Sequence, residues 1–451
     1  MPNREKKYYL WTIGCQMNEA DSRHLASQLE TLGYDRTPQP EDADLVVLNT
    51  CVVRQQAENK IYGRLGSLKT IKEKRPELTI GLMGCLVGVK EAPRLKQEFP
   101  FVDVFMAPSD TSPLIDYLQR HDDFEGLPTV DVQERSLRDR IQDAVNLLPL
   151  EQRGKVVTAF VPVVLGCSHA CTFCIIPYRR GMERSRSVNA IMTEIRTLVS
   201  QGVREVTLLG QIVDRYGLDL PEQLTLAALL KQIHNIDGLD RIRFLTSHPN
   251  WMTDELLDTV AELPKVCPHL EVPVQAGNDE VLMNMRRGYT IDQFYSLVDR
   301  IRGRIPDTAI HTDIIVGFPG ETEKQFMDTY QLLSEICFDK VHTSKYSTRP
   351  KTVAARKMID DVSDDEKARR HQLLDQLQHK ILVEKNSRLY GHTLDVLVDG
   401  KHKDLWRGRT PHNKIVFFED EKECLGSTVS VKITRTGPYS LSGIVQEYAG
   451  T

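Results

Sequence analysis

The sequence predicts an α/β protein in three parts: an N-terminal parallel-sheet domain, a partial (β/α)6 barrel, and a small C-terminal antiparallel β-barrel. Three observations point there. Short apolar runs alternate with amphipathic helical stretches through the first third of the chain, and again on a larger scale from Val156 to about Lys357. From Thr393 onward the pattern changes to short strands punctuated by Gly400, Gly426 and Gly437. A chain of 451 residues, at roughly 150 residues per domain, also suggests about three domains.

Taken in order, Tyr8–Cys15 reads as a β run ending in a turn, followed by helical spacing over Glu19–Leu32 that Gly33 stops. Ala43–Cys51 and Leu78–Cys85 are buried-type strands, each with a cysteine at its end. Alternating strands and helices imply a parallel sheet whose ligand edge lies at the carboxyl ends of the strands. This first domain is expected over residues 5–122. A charged stretch without clean periodicity, 123–152, reads as a connecting segment carrying one helix.

The barrel is expected over 153–384. Its strand candidates are Val157–Leu165, Glu205–Leu209, Arg241–Leu245, Leu270–Val274, His311–Val316 and Lys340–Tyr346. Helical stretches such as Ala190–Ser200 and Ile291–Arg302 lie between them. Barrels of this kind place their chemistry at the carboxyl ends of the strands. An acidic helix start at Asp360–Glu366 opens a long polar helix ending near Arg388. The β domain, 385–449, contains Leu394–Val398, Lys414–Phe418 and Thr428–Ile433 as strands.

Composition is ordinary for a globular protein, 40% hydrophobic and 27% charged, which excludes collagen-like, coiled-coil and mostly disordered chains. The net charge of −5 gives no global basic signature, so a nucleic-acid partner has to be met by a local patch. No run approaches the ~20 apolar residues that span a bilayer, and the N-terminus does not read as a signal peptide. A cytoplasmic protein with no membrane partner is expected. Nine cysteines, an odd number, favour metal binding or redox chemistry in a reducing compartment over a disulfide scaffold.

The strongest chemical signal is Cys167-Ser-His-Ala-Cys171-Thr-Phe-Cys174, a C-x3-C-x2-C triplet just after the first barrel strand. Three thiolates from one loop can hold three irons of a 4Fe–4S cluster and leave the fourth open to a small chelating molecule. A structural zinc site is the competing reading. It would need a fourth ligand such as His169, and zinc sites more often pair two C-x2-C knuckles.

Cys15, Cys51 and Cys85 form a second constellation, 36 and 34 residues apart. That spacing is close to one βαβ repeat of about 30 residues or more. Each falls at the end of its strand, so the three converge on one edge of the sheet, a geometry suited to a second three-ligand cluster. Taken singly, each is better explained as a small buried hydrophobe, and it is the repeated strand-end placement that favours the cluster. Cys267, Cys337 and Cys424 have no comparable context.

The triplet, with Phe173 just before its last cysteine, resembles the signature of radical S-adenosylmethionine (SAM) enzymes. Three N-terminal cysteines, this triplet and a C-terminal β domain together resemble the methylthiotransferase family, over nearly the whole chain. Gly14–Asn18, Asn49–Arg54, Phe173–Tyr178 and Thr312–Glu321 carry the match. Ala57–Gly66 and Thr246–Pro249 look like its MiaB branch, and the C-terminal segment resembles the RNA-binding TRAM domain.

The resemblance implies methylthiolation of N6-isopentenyladenosine at carbon 2, beside the anticodon of a tRNA. It implies two 4Fe–4S clusters, held by Cys15, Cys51 and Cys85 and by Cys167, Cys171 and Cys174. SAM would serve as methyl donor and as source of a 5′-deoxyadenosyl radical, which the unactivated aromatic C–H bond makes necessary. No catalytic residue is expected beyond the cluster ligands. A reductant protein such as flavodoxin or ferredoxin and a monomeric state are also implied.

Phe173 holds the aromatic position that packs against the cofactor in such enzymes, with a core aromatic as the other reading. Gly210, Gln211, Gln275, Gly317 and Glu321 lie at strand ends where the cofactor is contacted, although turn geometry explains the glycines equally well. Arg179, Arg180, Arg184 and Arg186 follow the cysteine loop and are candidates for phosphate contact or cofactor-carboxylate pairing, with a solvated charged face as the other reading. Arg286-Arg287, before Gly288-Tyr289, are candidates for phosphate or cofactor-carboxylate pairing.

From Lys385 to the end the net charge is only +2. The most convincing aromatic-basic cluster there is Trp406, Arg407, Arg409 and Lys414, with a core role for Trp406 equally admissible. Ile212, Asp214, Met182, Thr348, Lys351 and Val353 depart from the family pattern, as does Leu270-Glu271-Val-Pro-Val. Two other readings remain open. One is a methylthiotransferase acting on threonylcarbamoyladenosine or a ribosomal-protein aspartate. The other is a non-catalytic zinc-containing RNA-binding protein.

Overall fold

The computed structural model describes residues 6–53, 55–121 and 148–448. The chain divides into two compact units, one comprising Met1–Arg153, Phe160–His169 and Ile175–Gln201, the other Gly154–Ala159, Ala170–Cys174 and Gly202–Thr451. Most of the expected connecting segment, and Arg54 of the second motif, lie outside the described residues. None of the nine cysteines, all described, is in a disulfide. Among the described residues no helix is long and apolar enough to cross a membrane.

In the first unit five parallel strands, β1 (Lys6–Thr12), β2 (Tyr34–Arg36), β3 (Leu45–Thr50), β4 (Thr79–Gly84) and β5 (Val104–Met106), lie in the order β2–β1–β3–β4–β5. The period-2 alternation of strands sorts their side chains onto two faces. Val46, Leu48, Ile80 and Leu82 pack with Ile61 and Leu65 of the helix Gln55–Lys74. Tyr8, Leu45, Val47 and Met83 pack with Leu25 and Leu29 of the helix Gln16–Thr31. Central β3 is buried at every position, which is why it opens as the apolar run Leu45–Leu48 before the buried polar pair Asn49 and Thr50. Strands β2 and β5, three residues each, are too short to leave a period and are not anticipated by the sequence.

The barrel strands are β6 (Thr158–Pro162), β9 (Glu205–Leu209), β10 (Arg241–Leu245), β11 (His269–Glu271), β12 (Ala309–Val316) and β13 (Lys340–Lys345), with the short hairpin β7 (Val164–Leu165) and β8 (Arg184–Ser185) after β6. β9 pairs parallel with β10, and the Val157 carbonyl ahead of β6 accepts from the amides of Arg204 and Glu205. β11, β12 and β13 form a second parallel set. The intervening helices begin at sharply defined caps. Thr290 and Thr322 each make a reciprocal capping box, with Gln293 and Gln325.

The second unit ends in a closed barrel of β14 (Thr393–His402), β15 (Leu405–Arg409), β16 (Ile415–Phe418), β17 (Thr428–Thr436) and β18 (Leu441–Tyr448), ordered β14–β15–β16–β18–β17. Strands β15 and β18 add to the three expected, and one pairing, β16 with β18, is parallel. Arg241 and Arg243 of β10 donate to main-chain carbonyls of this barrel, Arg243 reaching Thr410 at 2.8 Å and Pro411 at 2.7 Å.

Candidate metal centres

Parallel pairing sets Thr12 level with Asn49, and Thr50 level with Gly84, so the cysteines that follow emerge from one edge of the sheet. Cys15 caps the helix Gln16–Thr31, while Cys51 and Cys85 are buried. Gly14 has φ +143, and a Cβ there would lie 3.0 Å from the Cβ of Cys51 and 2.5 Å from Nδ2 of Asn18. Gly84 has φ +95, with Oδ1 of Asn49 and the Thr50 carbonyl both 2.5 Å from where its Cβ would be. Both glycines therefore serve close approach as well as a left-handed turn.

Asn18 ties the three strand ends together. Its Nδ2 donates to the carbonyls of Ile13 and Thr50, at 2.9 and 3.0 Å, and the Thr50 carbonyl also accepts from the Cys85 amide. Its Oδ1 accepts from Nη2 of Arg180 at 2.7 Å and is 3.8 Å from Sγ of Cys15. Burial pushes the Cys85 thiol up to about 11, against the pull of the Arg180 guanidinium. Burial likewise opposes the charge on Arg180, but Cys85, Asp21 and Cys15 outweigh it and hold the group protonated.

The second cysteine set sits on a loop that passes from one compact unit to the other, Cys167 belonging to the first and Cys171 and Cys174 to the second. In the first unit, Gly166 at φ +71 brings the chain against the Met182 carbonyl, and the Cys167 amide donates to Gly181. In the second, Thr172 is held from three directions. Its amide donates to Met285 at 3.1 Å, its hydroxyl to Asn284 at 2.8 Å, and its carbonyl accepts from Ala354 at 2.8 Å. Arg286 ends the helix Asp279–Met285 in a left-handed conformation and turns Arg287 inward. Nη1 of Arg287 then donates to Sγ of Cys171 at 3.2 Å, while Nε and Nη2 bond the Tyr289 hydroxyl and the Pro273 carbonyl. Burial works against this guanidinium's charge, and Tyr289 and Cys171 more than offset it.

Among the described residues no three His, Cys, Asp or Glu side chains stand at the separations of a single-ion site. A cubane cluster binds each thiolate to a different iron, so its ligands stand farther apart than those of one ion. The all-sulfur donor set, the glycine cradles and the buried cationic donors fit a cluster better than a tetrahedral zinc.

The other expected site residues fall out unevenly. Phe173 meets Phe318 edge-on, ring centroids 6.4 Å apart, and Phe318 continues to Tyr346. Gly210 and Gln211 directly follow β9. Gln275 holds φ +76 while its main chain pairs with Asp313 and Ile315, a strained backbone within the barrel wall. Gly317 (φ +71) lies against Lys367, whose Cγ would be 2.3 Å from a Cβ there. One carboxylate oxygen of Glu321 is taken by the Gly317 amide at 2.6 Å and by Arg370 at 2.9 Å, which gives this residue a turn-holding role.

The expectation of an RNA contact at Arg180 does not hold, because its side chain is only 2% exposed. Arg186 is paired with Glu194 at 2.6 Å, Arg179 reaches the Leu86 carbonyl, and Arg184 is exposed. The aromatic-basic cluster of the C-terminal barrel is mixed, with 40% of the Arg407 side chain, 35% of Arg409 and 16% of Lys414 exposed. Trp406 is a core residue, 3% exposed, with its indole N–H on the Asp420 carbonyl. Arg407 and Arg409 pair with Asp399, and Lys414 pairs with Asp339.

Asn18 and Asp214 escape a reading by motif chemistry, and the bond of Arg287 to Cys171 is a partner the sequence does not suggest. Asp214, a departure from the family pattern, accepts the His248 amide at 2.9 Å and shapes the Thr246–Pro249 turn. Its only sequence signal is its position just after a strand end.

Comparison with known proteins agrees with this geometry. Family models match for the radical SAM superfamily over residues 161–333, the uncharacterized protein family UPF0004 over 7–107 and the TRAM domain over 388–445. The chain is 44% identical over 445 residues to a tRNA-2-methylthio-N(6)-dimethylallyladenosine synthase of Roseiflexus sp. (strain RS-1), covering 98% of this chain and 90% of the relative. A protein of the same name from Dehalococcoides mccartyi (strain CBDB1) is 46% identical over 434 residues, covering 96% and 97%. Among solved structures, the radical S-adenosylmethionine methyltransferase TsrM from Kitasatospora setae, with cobalamin and a 4Fe-4S cluster bound, matches with a TM-score of 0.55. It is 16% identical and covers 78% of this chain and 77% of that one, a likeness of fold alone. With the cysteine sets, the three matched models and relatives aligned from end to end, the chain belongs to the radical SAM family of tRNA-2-methylthio-N(6)-dimethylallyladenosine synthases.

Proposed function

We propose that this chain installs a methylthio group at carbon 2 of N6-isopentenyladenosine beside a tRNA anticodon, drawing on SAM as methyl donor and as radical source. The observation that carries the reading is the convergence of Cys15, Cys51 and Cys85 on one sheet edge in a chain that also holds the C-x3-C-x2-C loop. A simple SAM-cleaving enzyme needs only the loop. A second three-thiolate site suits an enzyme that must also present sulfur.

When bound, a cluster on the Cys167–Cys174 loop supplies the electron that cleaves SAM to its radical. The chain's own residues prepare for this. Thr172 and Arg287 hold the loop, and Phe173 offers an aromatic face against Phe318. Gly210, Gln211 and Gln275 line strand ends where the cofactor is to be held. A flavodoxin- or ferredoxin-like reductant, a monomeric state and a cytoplasmic location complete the proposal.

The test combines anaerobically reconstituted protein, SAM, a reductant and isopentenylated tRNA, followed by digestion and mass analysis of the nucleosides. A methylthio adduct of isopentenyladenosine is expected. Formation of 5′-deoxyadenosine without that adduct would overturn the substrate assignment. Zinc with little iron after anaerobic purification would overturn the radical chemistry itself.

A further inference from the structure

The first compact unit buries a cation where its sequence promises an RNA contact. Arg180 ends the short helix Ile176–Arg180, which Pro177 opens and Gly181 (φ +78) closes, six residues beyond Cys174. Its side chain is 2% exposed. Nη2 is bound to Asn18, the residue that joins the strand ends before Cys15, Cys51 and Cys85. Asp21, the nearest carboxylate, stands 3.7 Å from Nη1 and takes a 2.7 Å hydrogen bond from Ser109 instead. Nε is fully buried with no acceptor among the described residues. An arginine so enclosed is costly unless further negative charge or further acceptors share the site.

We propose that Arg180 is a positioning residue of the Cys15–Cys51–Cys85 site, neutralising its thiolates and raising the reduction potential of the cluster they hold. This rests on the reading of those cysteines as cluster ligands. The physical reason is direct. Each electron added to a cluster makes it more negative, so a fixed cation within hydrogen-bond reach of its sulfurs stabilises the reduced form more than the oxidised one. The guanidinium already lies within the field of both Cys85 and Cys15. Arginine suits the task better than lysine, because its planar fork can hold Asn18 with one nitrogen and offer others to sulfur.

The experiment uses the full chain, reconstituted anaerobically, in a Cys171→Ala background that silences the other cluster. Iron is counted, and the remaining cluster is titrated by electron paramagnetic resonance. The unsubstituted chain should bind about eight irons and Cys171→Ala about four. Adding Arg180→Gln should move the midpoint to a more negative potential and lower the iron retained after desalting. Arg180→Lys should give a smaller shift in the same direction. Unchanged midpoints and full iron in both variants would overturn the role of Arg180. If circular dichroism shows that the Gln variant does not fold, an unchanged midpoint in the Lys variant overturns it alone. A different failure, four irons in the unsubstituted chain and none in Cys171→Ala, would remove the second cluster and the inference with it.

Discussion

Arg287 donates a hydrogen bond to the sulfur of Cys171 across 3.2 Å, from a side chain whose remaining nitrogens are held by Tyr289 and Pro273. The two residues are 116 positions apart, and Arg287 directly follows the left-handed turn at Arg286. Arg287→Met should leave the fold intact, lower the midpoint of the cluster on this loop, and slow 5′-deoxyadenosine formation by about 10- to 100-fold, the usual cost of losing a partner behind a metal ligand. Potentiometric titration alongside a SAM-cleavage assay checks both effects.

The two cysteine sets make separable contributions. Cys171→Ala should abolish 5′-deoxyadenosine formation outright. Cys51→Ala should keep part of that cleavage and lose sulfur insertion, read as modified nucleoside per 5′-deoxyadenosine released. A fully active Cys51→Ala would show that the sheet-edge cysteines are structural.

Gly84→Ala tests the cradle between β4 and Cys85. A methyl group there meets the side-chain Oδ1 of Asn49 and the Thr50 carbonyl, both at 2.5 Å, on a backbone at φ +95. The strain should cost about 1–3 kcal/mol. It should appear as a lower urea midpoint, with fewer irons retained by the Cys171→Ala, Gly84→Ala double variant than by Cys171→Ala alone.

Burial, with Asp313 adding to it, raises the Glu271 carboxyl to about 7. The native state therefore keeps this proton while the unfolded chain releases it near pH 4.5. The resulting stability is fully present below that value and is lost as pH rises towards 7, about 3 kcal/mol in all. Glu271→Gln should remove that loss. The difference in unfolding free energy between variant and parent should grow in the variant's favour from pH 5 to 7, measured by urea melts at each pH.

The residues first suspected of binding RNA divide by burial. Trp406→Ala should cost about 3–5 kcal/mol as a core truncation, lowering the melting temperature whether or not RNA is present. Arg184→Ala, at an exposed position, should leave the melting temperature alone and weaken tRNA binding with a reduced salt dependence. Thermal melts and binding measured at two salt concentrations separate the two behaviours.

Local pattern carried much of this protein. The strands Glu205–Leu209 and Arg241–Leu245 coincide with their apolar runs, and the three N-terminal cysteines follow strand ends that short-range periodicity reveals. The three-residue strands β2 and β5 left no period to read, and the basic residues left no sign of their direction. Trp406 and Lys414 look alike on paper whether they face solvent or a core.

By itself, then, the sequence determined that three cysteines follow strand ends on one edge of the sheet and that three more share one loop, because strand alternation and cysteine spacing are properties of neighbouring residues. Only the tertiary structure decided that Arg180 turns inward to Asn18 and Arg287 to Cys171. Their partners lie 162 and 116 residues away along the chain. Whether a buried guanidinium is stable depends on the charges and acceptors that folding gathers around it, and no local pattern records that.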